Sequence, residues 1–498
     1  MQTIVRAATA GALTRGLTAL AVAALALAAC SDEPSIPAPE QPSPAPSGDA
    51  ASTAADVPEL AETVVRPLPG TGAAPFDRTR RLQAPPGWSV TVWARVPSAR
   101  LLAWTPDRRL LVSRPKFGDV VELIPGQGAT APTPQAASTP QAAPSQQAAP
   151  SQQAAPTQQA APTQRTLVSG LNQPHGLAFT GDTLYVAESD QVDRFTYRAG
   201  AVSGKQVVVD GLPDAKSPEL GGKYAHALKS VAIGADGSLY ISVGSTGNIS
   251  AEDRDADPER ATILRAPAGG GEPAVFASGV RNGTGLAIDP DGGVWTAVNN
   301  RDNIAYPYDQ DYDGDGDADR GDVLQAYVND HPLEPLARLT QGRDLGWPYC
   351  NPDPDVNPGE KGTPLSYTRR PFVRDVQTNA DGGKLDCAAL PPVEQGMGAH
   401  SAPLGLSFAT SPGLAGSYGP GALVGIHGSW NRTPPRPPEV SFFAWRDGTL
   451  GPQQTLLTGF QDADGSRWGR PVMAVQGPDQ ALYVSDDMAG AVYRVTPS

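Results

Sequence analysis

Basic residues are scarce in this chain: 38 Lys and Arg stand against 52 Asp and Glu, a formal net charge of -14. Nucleic acids and acidic membrane surfaces are anions and would be repelled, so neither is an expected partner, and any cluster of arginines carries information. Cysteine is scarcer still, and three Cys are too few for a disulfide framework. After residue 30 no stretch approaches the roughly 20 apolar residues that a spanning helix needs. What is plentiful is Gly (54) and Pro (52), which favour many turns. At 498 residues the chain could hold several domains, but large β architectures run long as single domains, so length does not decide the count.

Residues 1–30 place Arg6 and Arg15 ahead of the apolar run LTALAVAALALAAC. This reads as a secretory signal, and its Leu-Ala-Ala-Cys ending resembles the lipobox of bacterial lipoproteins, in which cleavage leaves Cys30 as a lipid-bearing first residue. The alternative is a plain signal peptide or membrane anchor. The expectation is an exported protein, lipid-anchored to a bacterial membrane on its periplasmic or cell-surface face, touching that membrane only through the lipid on Cys30. Residues 31–75, rich in Pro, Ala, Ser and acid, read as a disordered tether. Residues 76–498 read as one domain interrupted at 126–165 by a disordered insertion, whose PSQQAAP and PTQQAAP repeats cannot bury enough apolar surface to fold. Strand-like text, VVELIPG and RTLVSGL, lies on both sides of that insertion.

From residue 100 onward one pattern recurs: a short apolar run, a turn, then an alternating strand. It begins at Leu101, Gly176, Ser230, Gly285, Gly405 and Val472. In the clearest copy, SVAIGADGSLYISVG, the Asp-Gly pair supplies hairpin turn chemistry. Spacings of 54 and 55 residues separate Leu177, Val231 and Leu286, which suits a four-stranded blade of which this hairpin is half. The expected fold is all-β, a six-bladed β-propeller with four-stranded blades, its funnel collecting loops from one end of each blade. The interval 286–406, rich in Asp, Pro and Gly, reads as loops rather than a seventh blade. Its Cys350 and Cys387 are expected to pair in the oxidising compartment that an export signal implies, the alternative being two buried thiols.

Ionisable residues fall at the edges of these repeats. Gln173 and His175 precede the second copy, His226 the third, Arg281-Asn282 the fourth, His400 the fifth and Arg470 the sixth. Equivalent edges of a propeller open on one end, so these residues are expected to converge. Each alone is as readily structural as functional; the shared placement raises the set. A separate signal is DQDYDGDGDADRGD, Asp309 to Asp322. It puts Asp311, Asp313, Asp315, Asp319 and Asp322 at positions one, three, five, nine and twelve of an EF-hand loop, with Gly316 at six. That spacing points to calcium. Asp in place of Glu at position twelve and the lack of evident flanking helices leave a solvated acidic loop as the alternative.

The strings NQPHGLAF with LYVAES, LYISVGSTGN after His226, ERATILR, GVRNGTGLAIDP, LGWPYC, AHSAPLGLSF, HGSWNR, and GRPVMAV with LYVSDDMAGAVYRV resemble together the pyrroloquinoline quinone-dependent soluble aldose and sorbosone dehydrogenases. The resemblance runs from about Leu82 to the C-terminus and implies a six-bladed propeller that oxidises a sugar. Removing an O–H proton while hydride leaves carbon needs a cofactor, because no side chain accepts hydride. By resemblance His226 is the general base, Arg281 binds the quinone oxygen where negative charge develops, and Asn282 lies beside it. Lys229, Arg432 and Arg470 are candidate cations for the tricarboxylate cofactor, the arginines because a planar fork suits carboxylate. Trp430 is a candidate cover for its flat rings, with a core Trp as the alternative. Gln173, His175, His400 and His427 also match family motifs. A further calcium joins the quinone to backbone carbonyls in the family, and the loop from Asn299 through Arg301-Asp302-Asn303 is the expected region. The implied partners are a small sugar and an external electron acceptor.

Two other readings compete. A calcium-dependent lactonase shares the propeller but wants carboxylates and Asn at the edges where His and Arg stand here. A non-catalytic ligand-binding propeller lipoprotein would show aromatic and polar anchors without a convergent base.

Overall fold

The computed structural model describes residues 59–126, 160–414 and 418–497. The signal with Cys30, the tether up to residue 58, and the insertion between 127 and 159 lie outside the described residues.

Each repeat copy forms an antiparallel hairpin: Leu102–Trp104 with Leu110–Arg114, Gly176–Thr180 with Thr183–Ala187, Val231–Ile233 with Leu239–Val243, Gly285–Ile288 with Val294–Ala297, Pro403–Leu414 with Gly419–Ile426, and Pro471–Gln476 with Leu482–Asp486. The Asp-Gly turn works as its chemistry demands, with Gly237 at φ +80°, a backbone state that costs a side-chain-bearing residue dearly. Further strands extend the hairpins. Asp119–Ile124 and Thr163–Ser169 complete the first sheet, pairing from Asp119↔Ser169 to Ile124↔Thr163. The low-complexity segment therefore links two strands that pair with each other.

Val192–Arg198 and Ala201–Val209 complete the second sheet, Thr262–Ala266 and Ala274–Ser278 the third. The fourth adds Glu334–Leu339 and then, from far along the chain, Val393–Met397. The last two hairpins share one ten-stranded sheet. In it Ser89–Arg95 pairs with the C-terminal strand Ala491–Thr496, so the two ends of the folded region are stitched together. The strand Ala61–Pro67 pairs with Arg81–Ala84 and, in parallel, with Ser89–Arg95. It lies inside the stretch read from composition as tether; three β-branched residues, Thr63-Val64-Val65, were the available signal, and Val65 is buried.

The fold is all-β and propeller-like. Strand alternation sends neighbouring residues to opposite faces, and each face packs on a different sheet. Leu184 and Val186 join Leu111 and Val120 of the first sheet, whereas Tyr185 and Ala187 join Ile241 and Leu264 of the third. The series continues through Ile263 with Val294, Trp295 with Val424, and Phe442 with Val484, and returns through Trp93 and Tyr483 to Leu102 and Val112. The first strands of the hairpins also neighbour one another in turn, the last beside the first. Their contact is close: a Cβ on Gly176 would lie 2.6 Å from the Val231 nitrogen. The loops that enter these strands are thereby gathered at one place.

Candidate functional site

His226 stands in the loop entering Val231–Ile233, and its ring is oriented from the neighbouring strand end. Nδ1 lies 3.1 Å from the Ser245 carbonyl and 2.9 Å from Ser245 Oγ. That hydroxyl donates its own hydrogen to the Gly247 carbonyl at 2.8 Å. Both atoms facing Nδ1 are thus acceptors, Nδ1 carries the proton, and Nε2 is left with its lone pair. All hydrogen bonds of the ring are made by Nδ1. Burial first, and the charge of Arg281 second, lower His226 to about 3, so the imidazole is neutral at physiological pH.

Arg281, on the next loop, is 4% exposed. Its guanidinium donates to the carbonyls of Asn248 (3.3 Å), Asn299 (3.1 Å) and Asn300 (2.6 Å) and to Asn248 Oδ1 (3.1 Å). Asp302 is its nearest carboxylate, at 3.9 Å. The hydrogen bonds of the guanidinium all go to neutral oxygens, and its charge is met by Asp302 only at that longer distance. Burial lowers Arg281 to about 10, still fully charged. The Ser245 N–H donates to the Arg281 carbonyl at 2.7 Å, joining the two loops directly. Asn248 Oδ1 also accepts from the Asp302 N–H (2.8 Å), and Asp302 Oδ1 lies 3.3 Å from His400 Nδ1. Ser245 thus joins His226 to Arg281, and Asn248 and Asp302 join Arg281 to His400. The Asn299 and Asn300 carbonyls, in the region expected to meet a cofactor calcium, are engaged by Arg281. Arg301 is turned away into a buried pair with Asp375.

A second corner forms around Asp487. Arg470 grips it with two nitrogens, at 3.1 and 3.3 Å, and Arg100 donates to it at 2.8 Å. His427 Nε2 lies 3.5 Å from the same carboxylate. Burial works against ionisation of Asp487, but His427, Arg100 and Arg470 hold it well below the usual carboxylate range. Two arginines on one carboxylate leave one net positive charge. Burial drives both His175 and His427 well below their ordinary values. His175 Nδ1 lies 3.3 Å from the Lys229 carbonyl. Buried atoms here and near Arg281 that lack a hydrogen-bond partner among the described residues include Arg100 Nε, His175 Nε2, His427 Nε2 and Asn282 Oδ1.

The other expected residues are placed differently. Lys229 is fully buried, donates to the carbonyls of Pro213 (2.8 Å) and Ala227 (2.6 Å), and is lowered by burial to about 7. It is a loop fastener and a weak anion binder. Gln173, at φ +50°, accepts from Ser189 Oγ. Arg432 pairs with Asp330 at 3.3 Å, and Trp430 is 70% exposed. In the acidic loop the carboxylates of Asp311, Asp313 and Asp315 face one another. Asp319 turns inward to accept from the Tyr312 and Asp313 N–H groups, and Asp322 is not part of the facing group. Cys350 and Cys387 are joined by a disulfide, their Cα atoms 5.6 Å apart.

Sequence reading missed Arg100, Ser245 and Asp487. Arg100 sits at the edge of the first repeat, just as Arg470 does at the sixth, so its signal was available. Ser245 and Asp487 follow the second strands of their hairpins and carried none.

The model of the family described as TrAA12-like matches residues 150–498. A pyrroloquinoline quinone-dependent pyranose dehydrogenase of Coprinopsis cinerea is 27% identical over 297 residues, covering 51% of this chain and 37% of the relative. The chain thus spans little more than a third of that relative's length. Among solved structures, the holo pyrroloquinoline quinone domain of pyranose dehydrogenase from Coprinopsis cinerea superposes with a TM-score of 0.65 at 18% identity, covering 86% of this chain and all of that one. The calcium structure of the family AA12 protein of Trichoderma reesei gives 0.61 at 19% identity, covering 83% and 96%. The resemblance drawn from the sequence motifs is borne out by these likenesses.

Proposed function

The chain belongs to the TrAA12-like family, and from that premise we propose that it is a pyrroloquinoline quinone-dependent dehydrogenase that oxidises a sugar, with His226 as general base. The observation that carries the proposal is the oriented, neutral imidazole of His226, its proton held on Nδ1 by Ser245, its Nε2 left with a lone pair, and its ring under the influence of the buried charge of Arg281. When bound, the quinone supplies the acceptor for the hydride that leaves the sugar carbon.

The residues present suit such a group. His175 Nε2 and Asn282 Oδ1 are buried polar atoms without a hydrogen-bond partner among the described residues, which is costly unless a ligand supplies one. Arg100 and Arg470, sharing one carboxylate, offer a net positive seat for a multiply charged anion. Arg281 adds its field to the burial that keeps His226 unprotonated, fixes the Asn248 and Asn299–Asn300 backbone, and stabilises negative charge developing nearby. His226 Nε2 accepts the hydroxyl proton of the sugar, and Ser245 keeps the ring in the tautomer that can do so.

Six four-stranded blades are the reading of the fold that this account uses, supported by the cyclic order of hairpins and cores. Calcium is assigned to Asp311, Asp313 and Asp315, whose facing charges repel unless a cation joins them. Export with a lipid on Cys30 and transfer of electrons to an external acceptor complete the proposal. The lactonase reading loses support because Asp302 and Asp487 are committed to His and Arg. Visible absorption of protein reconstituted with the quinone and calcium, before and after a panel of aldoses, tests the proposal. Bleaching of the oxidised cofactor by at least one sugar is expected; a spectrum that no sugar changes would count against it.

A further inference from the structure

Away from both corners, two segments meet in a buried polar cluster that the proposed reaction does not use. His331 follows the short helix Gln325–Val328, Asp353 and Asp355 follow the strand Cys350–Pro352, and all three side chains are at most 3% exposed. His331 Nδ1 lies 2.8 Å from the Tyr327 carbonyl, which only accepts, so Nδ1 carries a proton. Nε2 then faces Asp355 Oδ1 at 2.9 Å and Asp353 Oδ1 at 3.7 Å. A neutral imidazole would aim its lone pair at two carboxylate oxygens. Something positive must lie among these three atoms, either a second proton or a cation.

Three further observations favour the cation. The separations of 2.9 and 3.7 Å bracket the roughly 3.3 Å expected between tetrahedral ligand atoms each about 2.0 Å from zinc. The supports of a metal ligand are in place: the Nδ1–H is on a backbone carbonyl, and Asp353 Oδ2 accepts from the Tyr308 hydroxyl at 2.7 Å. Finally, the ring of Tyr327 stacks on His331 at 3.8 Å, yet its buried hydroxyl has no hydrogen-bond partner among the described residues. Arg370 points its guanidinium at the Asp353 and Asp355 carbonyls, outside the ring of ligand atoms. Two carboxylates and a neutral imidazole carry two negative charges, which a dication cancels; a second proton on the imidazole would do so only together with the charge of Arg370.

We propose that His331 Nε2, Asp353 and Asp355 form a structural site for a divalent transition metal of the zinc type, closed on one side by Tyr327. One imidazole with two carboxylates suits zinc better than the all-oxygen shell calcium takes. The metal would clamp the turn after Gln325–Val328 to the loop beyond Cys350–Pro352. That helix also accepts the His400 Nε2 hydrogen bond at Val328, so the clamp steadies one wall of the candidate site.

The test uses the full chain, stripped with chelator, mixed with zinc ion alone, desalted and assayed by elemental mass spectrometry. One zinc per chain is expected in the parent and in Asp311→Asn, and none in His331→Gln. Should His331→Gln fail to fold, cobalt added to the stripped parent serves instead: visible d–d bands are expected, and equimolar zinc should abolish them and raise the melting temperature. A parent that retains no zinc and shows no cobalt bands holds an imidazolium only, and the proposal falls. It falls equally if His331→Gln folds and retains zinc as the parent does.

Discussion

Around His226 the nearby guanidinium of Arg281 is fastened to neutral carbonyls, so its charge is felt by the imidazole. Around His427 two guanidiniums converge on Asp487, so half of their charge is spent on that carboxylate. Both corners are built from the same parts, His and Arg at the edges of repeats. The difference lies in how closely a carboxylate is held. With Asp302 no nearer than 3.9 Å, Arg281 still acts on the imidazole; with Asp487 gripped at 2.8 to 3.3 Å, the two arginines form a firm, less positive seat. The proposed function gives proton removal to the first corner and cofactor retention to the second.

Replacing arginine separates the two roles. Arg281→Met strips the first corner of its charge and strands the carbonyls of Asn248, Asn299 and Asn300, so kcat/KM should fall on the order of 10²-fold. Arg470→Met should instead show its loss in cofactor retention, about tenfold, the scale of one charge-assisted hydrogen bond. Equilibrium titration of the apo-protein with quinone, alongside steady-state kinetics, reads both. If the two variants fail alike, the division between the corners is wrong.

Ser245→Ala is a finer probe. It removes one acceptor for the His226 Nδ1–H but leaves the Ser245 carbonyl at 3.1 Å, so a loss of about two- to tenfold in single-turnover rate is expected. The mildest signature is in pH. An ordinary imidazole base is lost to protonation as pH falls through about 6.5. With a folded-state value near 3, His226 keeps its lone pair, and the rate between pH 7 and 5 should show no one-proton fall near 6.5. Removing Arg281 takes away the second cause of the depression and leaves burial, so in Arg281→Met an acid limb should move upward into the range between 3 and 6.5.

How much of this was legible in the sequence depended on chain distance. The hairpins could be read because alternation and Asp-Gly turns are local, and SVAIGADGSLYISVG folds as its pattern says. Pairings such as Glu334–Leu339 with Val393–Met397 could not, because the loops between them carry no count of their length in space. The same rule governs the two groups of metal-ligating side chains. Asp311, Asp313 and Asp315 lie in one loop at recognisable spacing, whereas His331, Asp353 and Asp355 meet only after two segments fold together. His226 and Arg281 were found through repeat edges. The choice of Asp487 to neutralise Arg100 and Arg470 had no such marker.

The central claim is that His226 takes the proton, and single-turnover reduction of bound quinone by saturating sugar tests it most directly. His226→Gln, with cofactor saturation confirmed by titration, should bind quinone like the parent and reduce it about 10²-fold more slowly or worse. Reduction by His226→Gln at the parent rate from pH 5 to 8 would contradict the account.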